Sequence, residues 1–117
     1  MPESLTLPAD PAEAADLLLE TSKGRDVVVF KKSPICPVST RAEFEFRTWL
    51  KSLDAADPIA VAEIDVIAEK PLARGLTAAL GIDHQSPQAL WFRGGELQWH
   101  DSHSALTKSR FDGAHAS

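Results

Sequence analysis

The stretch "DVVVFKK", Asp26 to Lys32, constrains the fold more than any other part of the chain. Its unbroken apolar core, mostly β-branched, offers no polar face, so a strand built from it must be covered on both sides. That places it near the centre of a sheet with helices above and below. The flanking segments supply such helices. In "ADPAEAADLLLETSKG", Asp10 reads as an N-cap, Pro11 as the first helical position, Ala15, Leu18 and Leu19 as the apolar set, and Gly24 as the stop. Val38, Ala42, Phe46, Trp49, Leu50 and Leu53 recur at steps of three and four, which predicts an amphipathic helix from Pro37 to about Leu53. "SLTL" reads as a short first strand and "DPIAVAEID" as another buried one, Ile59 to Asp65. "EKPLARGLTAALGI" reads as a helix with Pro71 near its start and Gly81 at its end. Gly94-Gly95 inside "QALWFRGGELQWH" signals a two-residue hairpin, and "SALTKSRF" a last helix. The order strand, helix, strand, helix, strand, helix, hairpin, helix predicts an α/β mixed sheet with helices on both faces. A single domain over residues 1–117 is expected, with the polar tail from about Asp112 frayed.

Charge and cysteine usage narrow the function. A net charge of −5 lacks the dominant basic surface a nucleic-acid binder needs to neutralise phosphates. No apolar segment approaches the roughly 18 residues that would span a bilayer. The opening residues "MPESLTLPADPAEAADLLLE" carry acidic residues and prolines in place of a basic region and an apolar run, so no secretory signal is read. With one cysteine there is no internal disulfide to form, and a cytoplasmic protein is expected. His100 and His103 have a His-x-x-His spacing but straddle a strand end without acidic ligands beside them, so no metal site is expected. Trp49, Trp91 and Trp99 read as packing residues.

The lone cysteine lies in "KKSPICPVST", where the central strand gives way to a helix. Proline is favoured at the first helical position, which makes Pro37 that residue and Cys36 the N-cap. A sulfur there is expected to face the amides of Val38 and Ser39 and the positive end of the helix dipole, both of which favour thiolate over thiol. Lys31 and Lys32 lie just upstream. The plain alternative is an inert buried thiol. Ser39 stands where a dithiol enzyme would carry its resolving cysteine, so an oxidised Cys36 must be a mixed disulfide or a sulfenic acid. The Ser39 hydroxyl either donates to the sulfur or points into water. In "HQSPQAL", Pro87 precedes an apolar strand, and by base rate the Ser86-Pro87 bond would be trans.

Together these residues look like a thioredoxin fold, with a central mixed sheet of four to five strands flanked by helices on both faces. More closely, "FKKSPICPVS" with "HQSPQALWFRGGELQWHDSHSALT" resembles the monothiol bacilliredoxins of the YtxJ (BrxC) family. That family has a Cys-Pro-Ile-Ser active site, a His-x-Ser-Pro-Gln segment before the penultimate strand, and a Gly-Glu hairpin leading to Trp-His-x-Ser-His. The similarity runs over nearly the whole chain. It implies that Cys36 is the nucleophile, that Ser39 holds the resolving position, and that Ser33, Pro34, Ile35, Pro37 and Val38 form the active-site loop. It also implies a cis Ser86-Pro87 bond facing Cys36, with the Ser86 backbone available to a bound disulfide's chain. Ile35 replaces the family's threonine and Val38 its isoleucine. Phe30, six residues before the cysteine, replaces the buried aspartate that thioredoxins carry.

The implied activity is removal of bacillithiol from S-bacillithiolated client proteins, with bacillithiol as the exchanging small thiol, a thiol reductase system to recycle it, and no bound cofactor. Bacillithiol carries malyl carboxylates, so basic contacts are expected from Lys31, Lys32, Arg41 and, through the hairpin, Arg93. A glutaredoxin-like reductase using glutathione or coenzyme A, and a non-catalytic interaction module on the same fold, are the alternatives.

Overall fold

The apolar run becomes the middle strand of a five-stranded sheet. The structure is a computed structural model that describes residues 2–117. In chain order its elements are β1 (Glu3–Ser4), α1 (Pro11–Thr21), β2 (Val27–Lys32), α2 (Pro37–Ser52), β3 (Ala60–Asp65), α3 (Lys70–Leu80), β4 (Gln88–Arg93), β5 (Glu96–Ser102) and α4 (Lys108–Ala116). The sheet order is β1-β3-β2-β4-β5. β1 and β2 run parallel to β3, β4 runs antiparallel to β2, and β5 antiparallel to β4. This is the thioredoxin fold that the sequence resembles.

Because side chains alternate along a strand, β2 feeds two cores at once. Val27 and Val29 pack with Leu18 of α1, Leu72 and Leu76 of α3, and Leu90 and Phe92 of β4. Val28 and Phe30 pack on the other face with Phe46 and Trp49 of α2, Trp91 of β4 and Phe111 of α4. Phe30 stacks on Phe46 with ring centroids 4.6 Å apart. Burial of each such side chain stabilises the fold by about 1.5–3 kcal/mol. The run therefore needed two helical layers, and both are present.

The hairpin forms where the glycine pair predicts it. Gly94 and Gly95 have φ of 64° and 83°, a backbone region open to glycine at little cost.

Three expectations shift. The first strand pairs with β3 through Glu3 and Ser4, at the start of the expected segment. The final helix begins at Lys108, capped by the Thr107 hydroxyl, after a 3-10 turn at His103–Ala105. The tail does not fray into solvent: α4 runs on to Ala116, with Phe111 and Ala114 buried. Arg93 donates to the carbonyls of Ala114 and Ser117, which satisfies acceptors at the helix end. No helix among the described residues is long and apolar enough to cross a membrane.

Candidate active site

Cys36 follows β2 by four residues and is the N-cap of α2, with Pro37 in the first helical position as its missing N–H dictates. Its backbone is extended and its carbonyl accepts from the Thr40 amide at 3.0 Å. The thiol itself is part-exposed and makes no capping hydrogen bond, so the expected contact with the Val38 and Ser39 amides is not formed. The side chain lines an open groove instead, where a reacting sulfur can be reached.

Ser39 takes neither of the positions expected for it. Its side chain is buried, and its Oγ accepts the Ser33 amide at 2.8 Å. The hydroxyl thereby ties the first turn of α2 back to the loop that carries the cysteine. Its role in this structure is to hold that loop. Pro34, Ile35, Pro37 and Val38 are exposed around Cys36, Ile35 to 81%. Val38 and Ile67 are exposed apolar residues as well, and Ile67 lines the same groove as Cys36.

The groove, about 460 Å³, is lined by Ser33, Cys36, Lys70, Arg74, His84 and Ser86 together with Val66 and Ile67. Ser86 and Cys36 thus line one groove, and the Ser86-Pro87 bond is cis. Pro87 immediately precedes β4, whose Gln88 is in register with Lys31 at the end of β2. The strand register therefore carries the proline loop and the cysteine loop to the same end of the sheet.

Behind the groove lies a buried lysine. Lys31 continues the alternation of Val27 and Val29 and is fully enclosed. Its Nζ stands 2.7 Å from His84 Nδ1 and donates to Gln88 Oε1 at 2.8 Å. Gln88 also accepts the Gln85 amide and donates to the Asp83 carbonyl, so one side chain pins the loop from 83 to 88. Burial, reinforced by the charge of Arg74, pushes the Lys31 pKa down to about 8. Burial also lowers that of His84, helped by Lys31 and Arg74.

Residues 9–111 match the family described as monothiol bacilliredoxin BrxC. The chain belongs to that family. Among solved structures, this bacilliredoxin-family chain is similar to one described as a candidate oxidoreductase with a thioredoxin fold, at 25% identity and a TM-score of 0.72, covering 97% of this chain and 92% of that one. It is also similar to Fasciola hepatica thioredoxin, at 15% identity and a TM-score of 0.66, with 97% and 96% of the two chains covered. A third is desulfothioredoxin from Desulfovibrio vulgaris Hildenborough, at 19% identity and a TM-score of 0.63, covering 98% and 95%. The last two show the fold alone. Family and fold together support a thiol redox function, and a single cysteine fits a monothiol member.

The structure redistributes the expected basic contacts of this bacilliredoxin. Arg93 lies at the opposite end of the sheet, where it grips Asp26 just before β2. The hairpin turns away from the cysteine end, because β4 is antiparallel to β2 and starts, not ends, beside it. Lys32 is engaged by Glu43 and Glu63. Arg41 lines a separate apolar groove with Pro37, Val38, Ala42 and Leu106. Lys31 is near but enclosed. The cations on the groove itself, Lys70 and Arg74, are not marked by the sequence because they are distant in sequence from Cys36. The signal available was the helix spacing of Lys70 and Arg74 at one end of a strand-helix junction.

Proposed function

We propose that this protein is a monothiol thiol-disulfide exchange catalyst that removes bacillithiol from S-bacillithiolated proteins in a reducing cytoplasm. The observation that carries the reading is the position of Cys36: the only thiol in the chain, part-exposed at a strand-helix junction, in a groove shared with Ser86 of the proline loop.

In the proposed first step, the Cys36 thiolate attacks the bacillithiol sulfur of the client mixed disulfide. The client–bacillithiol S–S bond breaks, a Cys36–bacillithiol S–S bond forms, and the client leaves as thiolate and takes up a proton. With serine at position 39 no internal thiol can displace the adduct. A second bacillithiol thiolate then attacks the adduct sulfur, releasing Cys36 and forming bacillithiol disulfide, which a separate thiol reductase system reduces. The exposed apolar side chains of Ile35, Val38 and Ile67 supply surface on which a client can rest, and the Ser86 backbone is available to the client's chain.

The test is release of bacillithiol from a labelled reporter protein, with glutathione- and coenzyme A-labelled reporters alongside. The wild-type protein is expected to release bacillithiol fastest, and Cys36→Ser to release nothing. Release by Cys36→Ser would remove the catalytic role, and faster release of glutathione or coenzyme A would reassign the small thiol.

A further inference from the structure

We infer that the groove beside Cys36 contains a carboxylate subsite in which Lys70 and Arg74 hold the acidic end of the small thiol while its sulfur meets Cys36. The inference deepens the exchange reaction proposed above and rests on it for the identity of the ligand.

The first observation is how the positive charge is distributed. Of the twelve lysines and arginines, seven lie within 4 Å of a carboxylate among the described residues. Of the five without such a partner, Lys70 and Arg74 line the groove and Lys31 stands behind its His84 wall. In a chain of net charge −5, paired cations are the ordinary outcome, and this cluster departs from it. Among the described residues no aspartate or glutamate lines the groove.

The second is geometry. Lys70 and Arg74 are four residues apart on α3, so they share a face of the helix with about 5–6 Å between their β-carbons. That spacing lets two cations meet two carboxylates of one small molecule. A volume of about 460 Å³ is within the range of small-molecule sites. The Arg74 guanidinium presents a planar fork suited to a carboxylate, and Lys70 adds a mobile point charge.

The third is an orphaned hydroxyl. Ser86 Oγ is buried with no hydrogen-bond partner among the described residues, on the same groove as Cys36. A buried hydroxyl without a partner carries a cost that a bound polar group removes. A thiol bearing two carboxylates and an amide or hydroxyl satisfies all three features, and a neutral thiol satisfies none of the charges.

The subsite is tested without turnover, by the rate at which reduced Cys36 reacts with two disulfides. 5,5′-Dithiobis(2-nitrobenzoate) carries carboxylates, and 4,4′-dithiodipyridine is neutral. At low salt the ratio of the two rate constants is expected to fall about tenfold in Lys70→Gln/Arg74→Gln, roughly threefold for each charge removed at about 6 Å in a water-like medium. The wild-type ratio should fall toward that of the variant as sodium chloride is raised to about 1 M. Lys51→Gln, an exposed charge at the far end of α2, should change the ratio less than twofold. An unchanged ratio in the double variant, or an equal fall in Lys51→Gln, overturns the subsite. Bacillithiol-labelled reporter supplies the second arm, where the double variant is expected to raise KM more than it lowers kcat. A normal charge effect without release of bacillithiol would leave the subsite standing and sink the exchange reaction, so the two failures are distinguishable.

Discussion

Lys31 donates from Nζ to His84 Nδ1 across 2.7 Å, and this bond joins the buried end of the central strand to the loop before the cis proline. The protonated amine has only donors to offer, so while Lys31 carries its charge His84 accepts at Nδ1 and keeps its proton on Nε2. The lysine has no carboxylate partner among the described residues, and its neighbours His84 and Gln88 are neutral acceptors. The nearby Arg74 charge further disfavours the protonated amine. The device that orders the proline loop is therefore also a region of unbalanced positive potential behind Cys36.

Stability should record that imbalance. The Lys31 pKa is about 8 in the folded protein against an ordinary 10.5, so the unfolded chain holds the proton more tightly. Between those two values the unfolded state binds more protons, and stability rises with pH; below about 8 the penalty is fully present. Urea titrations from pH 7.5 to 10.5 are expected to show this rise, about 1–3 kcal/mol, and Lys31→Met should lack it. A rise that persists in Lys31→Met would mean another group carries it.

Ser39→Ala removes the acceptor for the Ser33 amide in a buried place. The expected cost is about 1–2 kcal/mol, because a part-buried N–H loses its partner. Thermal unfolding should show it, and hydrogen exchange at Ser33 should accelerate while exchange in β3 changes little. Unaltered protection at Ser33 would show that the hydroxyl does not hold the loop.

Much of this arrangement was legible from the chain. The four-residue apolar run demanded two helical layers, and the helix stripe from Val38 to Leu53 supplied one of them. Pro37 fixed where α2 begins and hence placed Cys36 at its cap. What stayed hidden depends on long-range packing. Lysine is ordinarily a surface residue, so nothing local marks Lys31 as buried; only its place two residues beyond Val29 on a doubly covered strand does. Lys70 and Arg74 share a groove with Cys36 because parallel β2 and β3 end together, a fact of register. Arg93 was misplaced for the converse reason, since the turn at Gly94 lies one full strand from the cysteine end. The local sequence offers the Ser39 hydroxyl only the sulfur or water as partners, and its acceptor role toward a backbone amide six residues back is invisible locally.

Arg93→Ala should separate stability from thiol chemistry. Arg93 meets both carboxylate oxygens of Asp26 and also caps the carbonyls of Ala114 and Ser117. Burial opposes ionisation of Asp26, but hydrogen bonds from Arg93 and Trp91 outweigh it and lower its pKa. Stability present above the ordinary carboxylate range is therefore lost as pH falls below about 4. The variant is expected to lose about 1–2 kcal/mol at pH 7 and to show a shallower acid limb. Asp26 and Cys36 flank opposite ends of a strand about 20 Å long, so the rate of Cys36 with neutral 4,4′-dithiodipyridine should stay within about twofold of wild type. A larger change in that rate would return Arg93 to the vicinity of the thiol.

Two glycine substitutions in helices should move stability in opposite directions. At Gly75 in α3, an added Cβ would clash with Pro11 Cγ and lie 2.7 Å from Pro11 Cβ, so α1 and α3 touch through that position. The proline ring is fixed to the backbone of α1 and can yield only if the helix shifts. Gly75→Ala is expected to cost about 1–3 kcal/mol from overpacking, more than the ~1 kcal/mol that alanine contributes as a better helix former. At Gly113 in α4, a Cβ meets nothing within 4 Å, so only the propensity gain remains. Gly113→Ala should raise Tm by a few degrees, for about 0.5–1 kcal/mol. Calorimetry on both variants decides it: a Tm for Gly75→Ala at or above wild type would show that the two helices do not approach as closely at Pro11 as the structure has them.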